Sequence, residues 1–396
     1  MTRAPLAVLD LVPRSSGDSI SSGVANAIEL AQQAERFGYQ RYWFAEHHLN
    51  PGVLGASPAV TIALAAAATS TIRIGSAGVQ LGHRQPLAVV EEFGLLDAAY
   101  PGRLDLGLGR SIGRSKPSAA SGDEKAELAE AAADAALADR LRQGPHSTDR
   151  HAPNGLLLPK QFDVRRLLAG SKGKLAQLLG LLQQPGAYTP DYESQISAIT
   201  ELIAGTHAFE GGPVRAFPGE GAAVQLWILG ASGGVSATLA GERGLRFAAS
   251  YHLSPSTVLD AVEAYRSAFR PSADLDEPYI SVSADVVVGE TDEQAAELAA
   301  GYALWVRSIR TGEGAIPFPS PKEVAAHEWT EEDRALVRDR VDTQVVGSPT
   351  TVADKLEQLR DATGAGELAI TTITHQHADR VRSYRLLAEE WDRRGN

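Results

Sequence analysis

At residues 42–48 the sequence is Tyr-Trp-Phe-Ala-Glu-His-His, an apolar aromatic run that ends abruptly in a carboxylate and two imidazoles. Such a run is typical of a buried strand whose carboxyl end delivers ionisable side chains to one point. In parallel α/β folds, that end of the strand is where the chemistry takes place. Because histidine exchanges protons near neutral pH, His47 and His48 are the first candidates for an active site.

Apolar strand-like segments recur along the chain and alternate with helical segments. This alternation predicts an α/β fold, a TIM (β/α)8 barrel rather than a doubly wound sheet. We expect a single domain over residues 1–396. The strand candidates are residues 6–12, 42–45, 71–81, 103–109, 224–229, 245–250, 279–288 and 367–373.

Two long excursions interrupt this alternation, at residues 111–190 and 311–345. Long insertions at the catalytic end of a barrel often form lids or binding walls, and we expect that role here. For the first excursion, the alternative is a surface segment without regular structure. Capping residues mark helix starts at Thr291, for a helix expected over residues 291–308, and at Ser348.

Composition excludes several classes of protein. The net charge of -12, from 37 basic and 49 acidic residues, disfavours nucleic-acid binding. The chain contains 0 cysteines, which excludes disulfides, thiolate metal sites and a cysteine nucleophile. The N-terminus lacks the apolar core of a signal peptide, and no segment has the length and apolarity of a membrane span. We therefore expect a soluble cytoplasmic protein without membrane or nucleic-acid partners.

Two segments have the composition of a phosphate site. Residues 106–110, Leu-Gly-Leu-Gly-Arg, end a strand in glycines and in Arg110, whose guanidinium matches phosphate oxygens. Residues 230–234, Gly-Ala-Ser-Gly-Gly, lead from a strand into a helix N-terminus, which favours anions. A tight turn with a solvated arginine, or a packing turn, would explain either segment alone. Together they favour one shared phosphate.

A further segment, Gly-Ser-Ala-Gly at residues 75–78, ends a strand in small residues. Small residues let a flat ring lie against the backbone, although close helix–strand packing would also explain them. A metal site is a weaker interpretation of Glu46, His47 and His48, because the chain lacks the H-E-x-x-H pattern.

These segments together resemble the bacterial luciferase-like flavin monooxygenases, and in particular the single-chain FMN-type branch called luciferase-family oxidoreductase group 1. The resemblance covers residues 4–110 and 213–390. It rests on RYWFAEHH at 41–48, the run from STIRIGSAGVQ to LDLGLGR at 70–110, WILGASGGVSATLAGERGL at 227–245 and RSYRLLAE at 382–389.

The resemblance implies that a flavin lies at the carboxyl ends of the strands. It implies proton transfer by His47, with His48 as a weaker catalytic candidate, and a pocket position for Asp10. It also implies a non-prolyl cis peptide between Ala77 and Gly78 beside the flavin ring. The cofactor-binding residues that it implies are Ala77, Gly78, Arg110, Ala231, Ser232 and Gly233.

In this family, FMNH2 from a separate flavin reductase reacts with O2 to form a C4a-(hydro)peroxyflavin, which oxygenates a small organic substrate such as a natural-product intermediate. The resemblance also implies a homodimer through helices at residues 57–69 and 84–100. Three alternatives stay open: an F420-dependent hydride-transfer oxidoreductase on the same barrel, a non-catalytic flavin-binding relative, and a metal-dependent barrel hydrolase.

Overall fold

The computed structural model describes residues 4–111, 113–114, 146–163 and 174–395. Eight parallel strands follow one another in chain order around a closed sheet, in which the first pairs with the eighth and the fourth with the fifth. This closed barrel confirms the predicted TIM (β/α)8 fold. The strands are β1 (Leu6–Asp10), β2 (Arg41–Phe44), β3 (Arg73–Ser76), β4 (Leu104–Gly109), β5 (Gln225–Gly230), β6 (Arg246–Ser250), β7 (Ile280–Val288) and β8 (Glu367–Thr371).

Helices surround the barrel, and further helices lie in the long connections between its strands. As predicted, Ser348 caps a helix that has Pro349 in its first turn. The helices of the described residues are α1 (Ile20–Arg36), α2 (Pro58–Ala68), α3 (Pro86–Ala99), α4 (Lys174–Leu182), α5 (Tyr192–Ala204), α6 (Val235–Glu242), α7 (Val258–Ala268), α8 (Asp292–Ala299), α9 (Tyr302–Arg310), α10 (Pro321–Ala326), α11 (Glu331–Thr343), α12 (Pro349–Thr363) and α13 (His377–Arg394).

The alternation of side chains along β2 decides which of them reach the barrel interior. Tyr42 and Phe44 lie in the main core between the barrel and its helices. Trp43 instead contacts Trp227 in a separate interior cluster. Because successive strand side chains point to opposite faces, the interior row continues toward His47 and the outer row toward Glu46.

Buried charged side chains close the amino-terminal end of the barrel interior. Arg41 donates to Asp105 at 2.6 Å and to Glu367 at 2.8 Å. The guanidinium of Arg41 lies 4.9 Å from the centroid of the Trp227 ring. Trp43 donates its indole N–H to Asp105 at 2.9 Å. These contacts fill the base of the barrel, so the open mouth is at the carboxyl ends of the strands.

The side chain of Asp10 does not line this mouth. It is fully buried and accepts hydrogen bonds from Arg380 at 2.7 Å, from the Val12 amide at 2.8 Å and from the Tyr42 hydroxyl. Leu9 packs into the interior cluster at the mouth, so strand alternation turns Asp10 outward toward α13. The expectation that Asp10 lines the pocket is therefore wrong.

The helix expected over residues 291–308 is divided into α8 and α9. Thr291 caps α8 as predicted, and its side chain accepts from the Gln294 amide at 3.2 Å. Gly301 lies at the division, where an added Cβ would come within 2.7 Å of the Phe318 ring. Glycine is a poor helix former, and this close contact explains why one occurs here.

The second excursion packs over the mouth on the side of β7, β8 and β1. Tyr302 and Trp305 from α9 share a buried cluster with Leu9 and with Ala369 of β8. Of the first excursion, residues 115–145 and 164–173 lie outside the described part of the chain, so its lid role stays a prediction. In the described residues, no helix combines the length and the apolarity that crossing a bilayer requires.

Candidate active site

The carboxyl ends of neighbouring strands bring most of the predicted site residues to the barrel mouth. His47 follows β2, the pair Ala77 and Gly78 follows β3, Arg110 follows β4, and a turn of small residues follows β5. This turn consists of Ala231, Ser232, Gly233 and Gly234, and it leads into α6.

His47 is a half-buried imidazole at this mouth. Its backbone N–H donates to the Gly55 carbonyl at 2.7 Å, which fixes the chain just beyond β2. Its Nδ1 is buried and has no hydrogen-bond partner among the described residues. Burial lowers the pKa of His47 to about 4, and His48 adds to that shift while Glu46 opposes it. His47 is therefore neutral at pH 7 and can accept a proton.

Glu46 lies on the opposite side of the strand end and organises a polar network. Its side chain accepts from the Gln80 amide at 2.9 Å, from the Nε2 atoms of His48 at 2.9 Å and His83 at 3.1 Å, and from Arg84 Nε at 3.1 Å. Burial alone would raise the pKa of Glu46, but these hydrogen bonds hold it well below its ordinary value. Glu46 is therefore ionised and ties β2 to the segment after β3.

His48 belongs to this network rather than to the interior row that leads to His47. Its ring packs edge-on against the ring of His83, with centroids 5.0 Å apart. The ligand atoms of Glu46, His48 and His83 lie within 4.8 Å of one another, a spacing that a metal ion could bridge. However, the Arg84 cation contacts the same Glu46 oxygen at 3.1 Å, so this donor set suits hydrogen bonding better than a cation.

The peptide bond between Ala77 and Gly78 is cis, as the resemblance implied. It interrupts the strand expected over residues 71–81, after which Val79–Gln80 pairs with the end of β4. A Cβ on Gly78 would lie 3.0 Å from the Gly107 carbonyl oxygen, so a larger residue would push this segment away from β4.

The two phosphate candidates lie side by side. In the β4–β5 ladder Gly109 is opposite Leu229, so Arg110 leaves the sheet next to the start of the turn after β5. Gly234 caps α6 without a side chain, which leaves room in front of the helix N-terminus. Burial raises the pKa of Tyr192, and the nearby Arg110 opposes that shift. Arg110 and the start of α6 thus present positive charge to the same part of the mouth.

A second histidine, which is not among the predicted site residues, reaches the mouth. His252 lies two residues beyond β6, and its Nδ1 is 2.6 Å from the Ser283 hydroxyl of β7. Burial lowers the pKa of His252 to about 4; Asp285 opposes the shift, whereas Arg340 and His47 add to it. Its position after a strand, in the sequence Ser-Tyr-His, is the same signal that identified His47.

The second excursion contributes a polar cluster next to His252. Tyr302 of α9 donates its hydroxyl to Asp285, and Arg340 of α11 donates to the same carboxylate at 2.9 Å. Arg340 also donates to the Tyr302 hydroxyl at 2.7 Å. These contacts fix α9 and α11 to β7.

A family model described as luciferase-like monooxygenase matches residues 6–135 and 196–366. The chain belongs to the luciferase-like monooxygenase family. The matched ranges include Glu46, His47, Arg110 and the turn at residues 231–234, which confirms the resemblance drawn from the sequence.

Two similar proteins match almost the whole chain. The uncharacterized protein YvbT of Bacillus subtilis (strain 168) is 34% identical over 390 residues, which cover 98% of this chain and 97% of that protein. The solved structure of apo-MsnO8 has a TM-score of 0.71 and 30% sequence identity, and the match covers 98% of each chain.

More distant structures share the luciferase-like fold with different cofactors. The oxygenating constituent of 3,6-diketocamphane monooxygenase from Pseudomonas putida, solved with FMN, has a TM-score of 0.57 at 18% identity over 98% of both chains. An F420-dependent secondary alcohol dehydrogenase, solved with an F420-acetone adduct, has a TM-score of 0.55 at 15% identity over 98% of this chain and 99% of that chain. The fold therefore does not choose between FMN and F420.

The two neutral histidines, His47 and His252, make the free energy of unfolding depend on pH. Because the folded-state pKa values of His47 and His252 are about 4, below the ordinary 6.5, the unfolded chain binds more protons between these values. Stability should therefore fall as the pH falls from 6.5 toward 4, by at most about 1.4 kcal/mol per pH unit for each histidine. Urea unfolding at pH 7 and pH 5 measures this loss. A His252→Gln variant with an unchanged loss would contradict the assignment.

Proposed function

We propose that this member of the family uses reduced FMN and O2 to oxygenate a small organic molecule. The observation that supports this most is the placement of a neutral histidine and two phosphate-binding candidates around one barrel mouth. A phosphate-bearing ring cofactor needs an anion site, a surface for a flat ring and a proton donor or acceptor. The ends of β2 to β5 offer these three in consecutive positions.

The residues at the mouth fit FMN. Arg110 and the turn at residues 231–234 would hold the phosphate, because a guanidinium and a helix N-terminus both favour anions. Ala77 and Gly78 would lie against the flavin ring, since a methyl group in alanine and the absence of a side chain in glycine leave the backbone open. His47, whose Nδ1 has no partner among the described residues, would face the ring or the substrate. We propose Ala77, Gly78, Arg110, Ala231, Ser232 and Gly233 as the cofactor-binding set.

In this proposal the protein positions groups and moves one proton. When bound, reduced FMN supplies the electrons that activate O2. His47 accepts or returns a proton at a nitrogen of its own imidazole ring, and the low pKa of His47 keeps that ring in the neutral form. Glu46 positions His47, because the hydrogen bonds of Glu46 fix the chain on either side of His47. His48 acts indirectly, through its hydrogen bond with Glu46. The segment with α9 and α11 covers part of the mouth and excludes water.

Replacing Arg110 with alanine should weaken FMN binding about 30-fold while changing riboflavin binding less than about twofold. The reason is that loss of charge-assisted hydrogen bonds to a phosphate costs about 2 kcal/mol, and riboflavin has no phosphate. Fluorescence titration with both flavins measures the two affinities. Arg243→Ala is the matched control, because Arg243 ends the same helix α6 and pairs with Glu193 at 3.2 Å on the surface. Equal losses for the two flavins would contradict a phosphate contact.

We further propose that a separate reductase supplies the reduced FMN and that two copies of the chain pair through α2 and α3. Val60 and Leu64 lie one turn apart on α2, with 58% and 44% of their surface exposed, and Leu95 on α3 is 66% exposed. An apolar surface on two neighbouring helices favours burial against a partner. Sedimentation that gave a monomer at micromolar concentration would contradict this pairing.

A further inference from the structure

The barrel places His252 opposite His47. The strands run around the barrel in chain order, so β6 lies four strands from β2 in either direction. His47 follows β2 and His252 follows β6, and both are half-buried. The cofactor candidates occupy the ends of β3, β4 and β5. The side between β6 and β8, which α9 and α11 partly cover, is therefore the part of the mouth that is left for an organic substrate.

The hydrogen bonds around His252 define its tautomer. The Ser283 hydroxyl donates to the Ala249 carbonyl at 3.3 Å, so its oxygen accepts the Nδ1–H of His252 at 2.6 Å. The Ser250 hydroxyl oxygen accepts from the Leu253 amide and lies 3.2 Å from the same Nδ1. A neutral imidazole with its proton on Nδ1 has a lone pair on Nε2. Among the described residues, the hydrogen bonds of the His252 ring involve Nδ1, so Nε2 is left as an acceptor.

His252 keeps this neutral form at pH 7. Burial lowers its pKa to about 4; Asp285 opposes this shift, and Arg340 and His47 add to it. Arg340 pairs with Asp285 at 2.9 Å, which limits the ability of that carboxylate to stabilise a protonated His252. The imidazole is therefore an acceptor at its free nitrogen rather than a cation.

An unpartnered hydroxyl on the same side gives independent support. Thr371 at the end of β8 is opposite Asp285 in the β7–β8 ladder and is 1% exposed. Its hydroxyl is buried without a hydrogen-bond partner. Strand alternation puts it on the interior face with Ala369, which packs in the cluster at the mouth. A buried hydroxyl without a partner is costly, so a bound polar group would stabilise it.

We propose that His252 is a specificity-determining residue, whose Nε2 accepts a hydrogen bond from a hydroxyl group of the substrate, such as that of a phenol or enol. This inference rests on the proposed function and adds the class of molecule that is oxygenated. Ser283 positions the imidazole by holding Nδ1–H, and the Thr371 hydroxyl is the second polar group on that side of the mouth.

The tautomer is tested on the whole protein without any ligand. Long-range 1H–15N spectra of the histidine-labelled protein at pH 7 should show His252 protonated on Nδ1 alone, with its signals assigned by their loss in His252→Phe. Protonation on Nε2, or on both nitrogens, would overturn the proposal. A Ser283→Ala variant should shift His252 toward the Nε2–H tautomer, because the closer of the two hydroxyl partners of Nδ1 is lost.

The substrate class is tested on the FMN-loaded protein with 1-naphthol and 1-methoxynaphthalene as probes. Wild type should bind the naphthol about fivefold more tightly than the methyl ether, as expected for one neutral hydrogen bond. In His252→Phe this ratio should fall below about twofold with unchanged FMN affinity, whereas the surface variant His207→Phe should keep it. Equal binding of the two probes by wild type, no binding of either, or a preference that survives in His252→Phe would overturn the proposal. Failure of wild type to bind FMN would instead contradict the proposed function.

Discussion

Replacing His47 with glutamine should lower the rate of substrate oxygenation about 100-fold to 10,000-fold, the range expected when a general acid–base group is removed. FMN affinity should change less than about threefold, because the proposed phosphate-binding residues follow β4 and β5, whereas His47 follows β2. The physical reason is the position of the imidazole: it is half-buried and neutral, and its Nδ1 has no protein partner among the described residues. Glutamine fills similar space but cannot exchange a proton at pH 7. The rate of 18O2 incorporation into product, measured by mass spectrometry, gives the loss.

Two further glutamine variants make this result specific. His207 pairs with Glu201 at 2.9 Å away from the mouth, so His207→Gln should keep the wild-type rate. His48→Gln should give a smaller loss than His47→Gln, because His48 contacts Glu46 and acts by positioning. Full activity in His47→Gln would refute its role in proton transfer, and a larger loss in His48→Gln would reverse the assignment of the two residues.

Replacing Asp105 with alanine should reduce the free energy of unfolding by about 3–5 kcal/mol, the cost of leaving buried cations without their partner. The Asp105 side chain is 0% exposed and contacts Arg41 at 2.6 Å and Arg73 at 2.7 Å. It also accepts the indole N–H of Trp43 at 2.9 Å. Glu367 at 2.8 Å and the uncharged Gln225 at 3.4 Å would then remain beside Arg41. Urea unfolding followed by tryptophan fluorescence measures the change.

The matched control for Asp105 is an exposed acid in an ion pair. Glu193 contacts Arg243 at 3.2 Å with 65% of its side chain exposed, so Glu193→Ala should cost less than about 1 kcal/mol. If Asp105→Ala cost no more than Glu193→Ala, the buried network at the base of the barrel would contribute nothing specific to stability.

The sequence was sufficient to predict the barrel because its strands are apolar runs separated by helical segments. All eight strand candidates are strands of the barrel, and Ser348 and Thr291 cap helices as predicted. The division between α8 and α9 at Gly301 was not predicted, because the crowding against Phe318 that requires a glycine there arises only in the fold. Periodicity reports local structure and contains no information about such tertiary contacts.

The candidate site was predictable where ionisable groups directly follow an apolar run, as at Glu46, His47 and Arg110. Strand alternation, applied strictly, would have separated Asp10, which faces α13, from the interior row. The network of Glu46 with His83 and Arg84 depends on the fold, since these residues lie 37 and 38 positions away in sequence. His252 was missed because it follows a strand with a single aromatic residue, Phe247, although the rule that identified His47 applies to it equally.

The most direct test of the central claim is an anaerobic titration of the purified protein with reduced FMN and, in parallel, with reduced F420. We expect reduced FMN to saturate one site per chain at micromolar concentration, and reduced F420 to bind at least about tenfold more weakly, a difference of about 1.4 kcal/mol. Saturation by reduced F420, with no binding of reduced FMN over the same range, would contradict the account and identify a hydride-transfer enzyme on the same barrel.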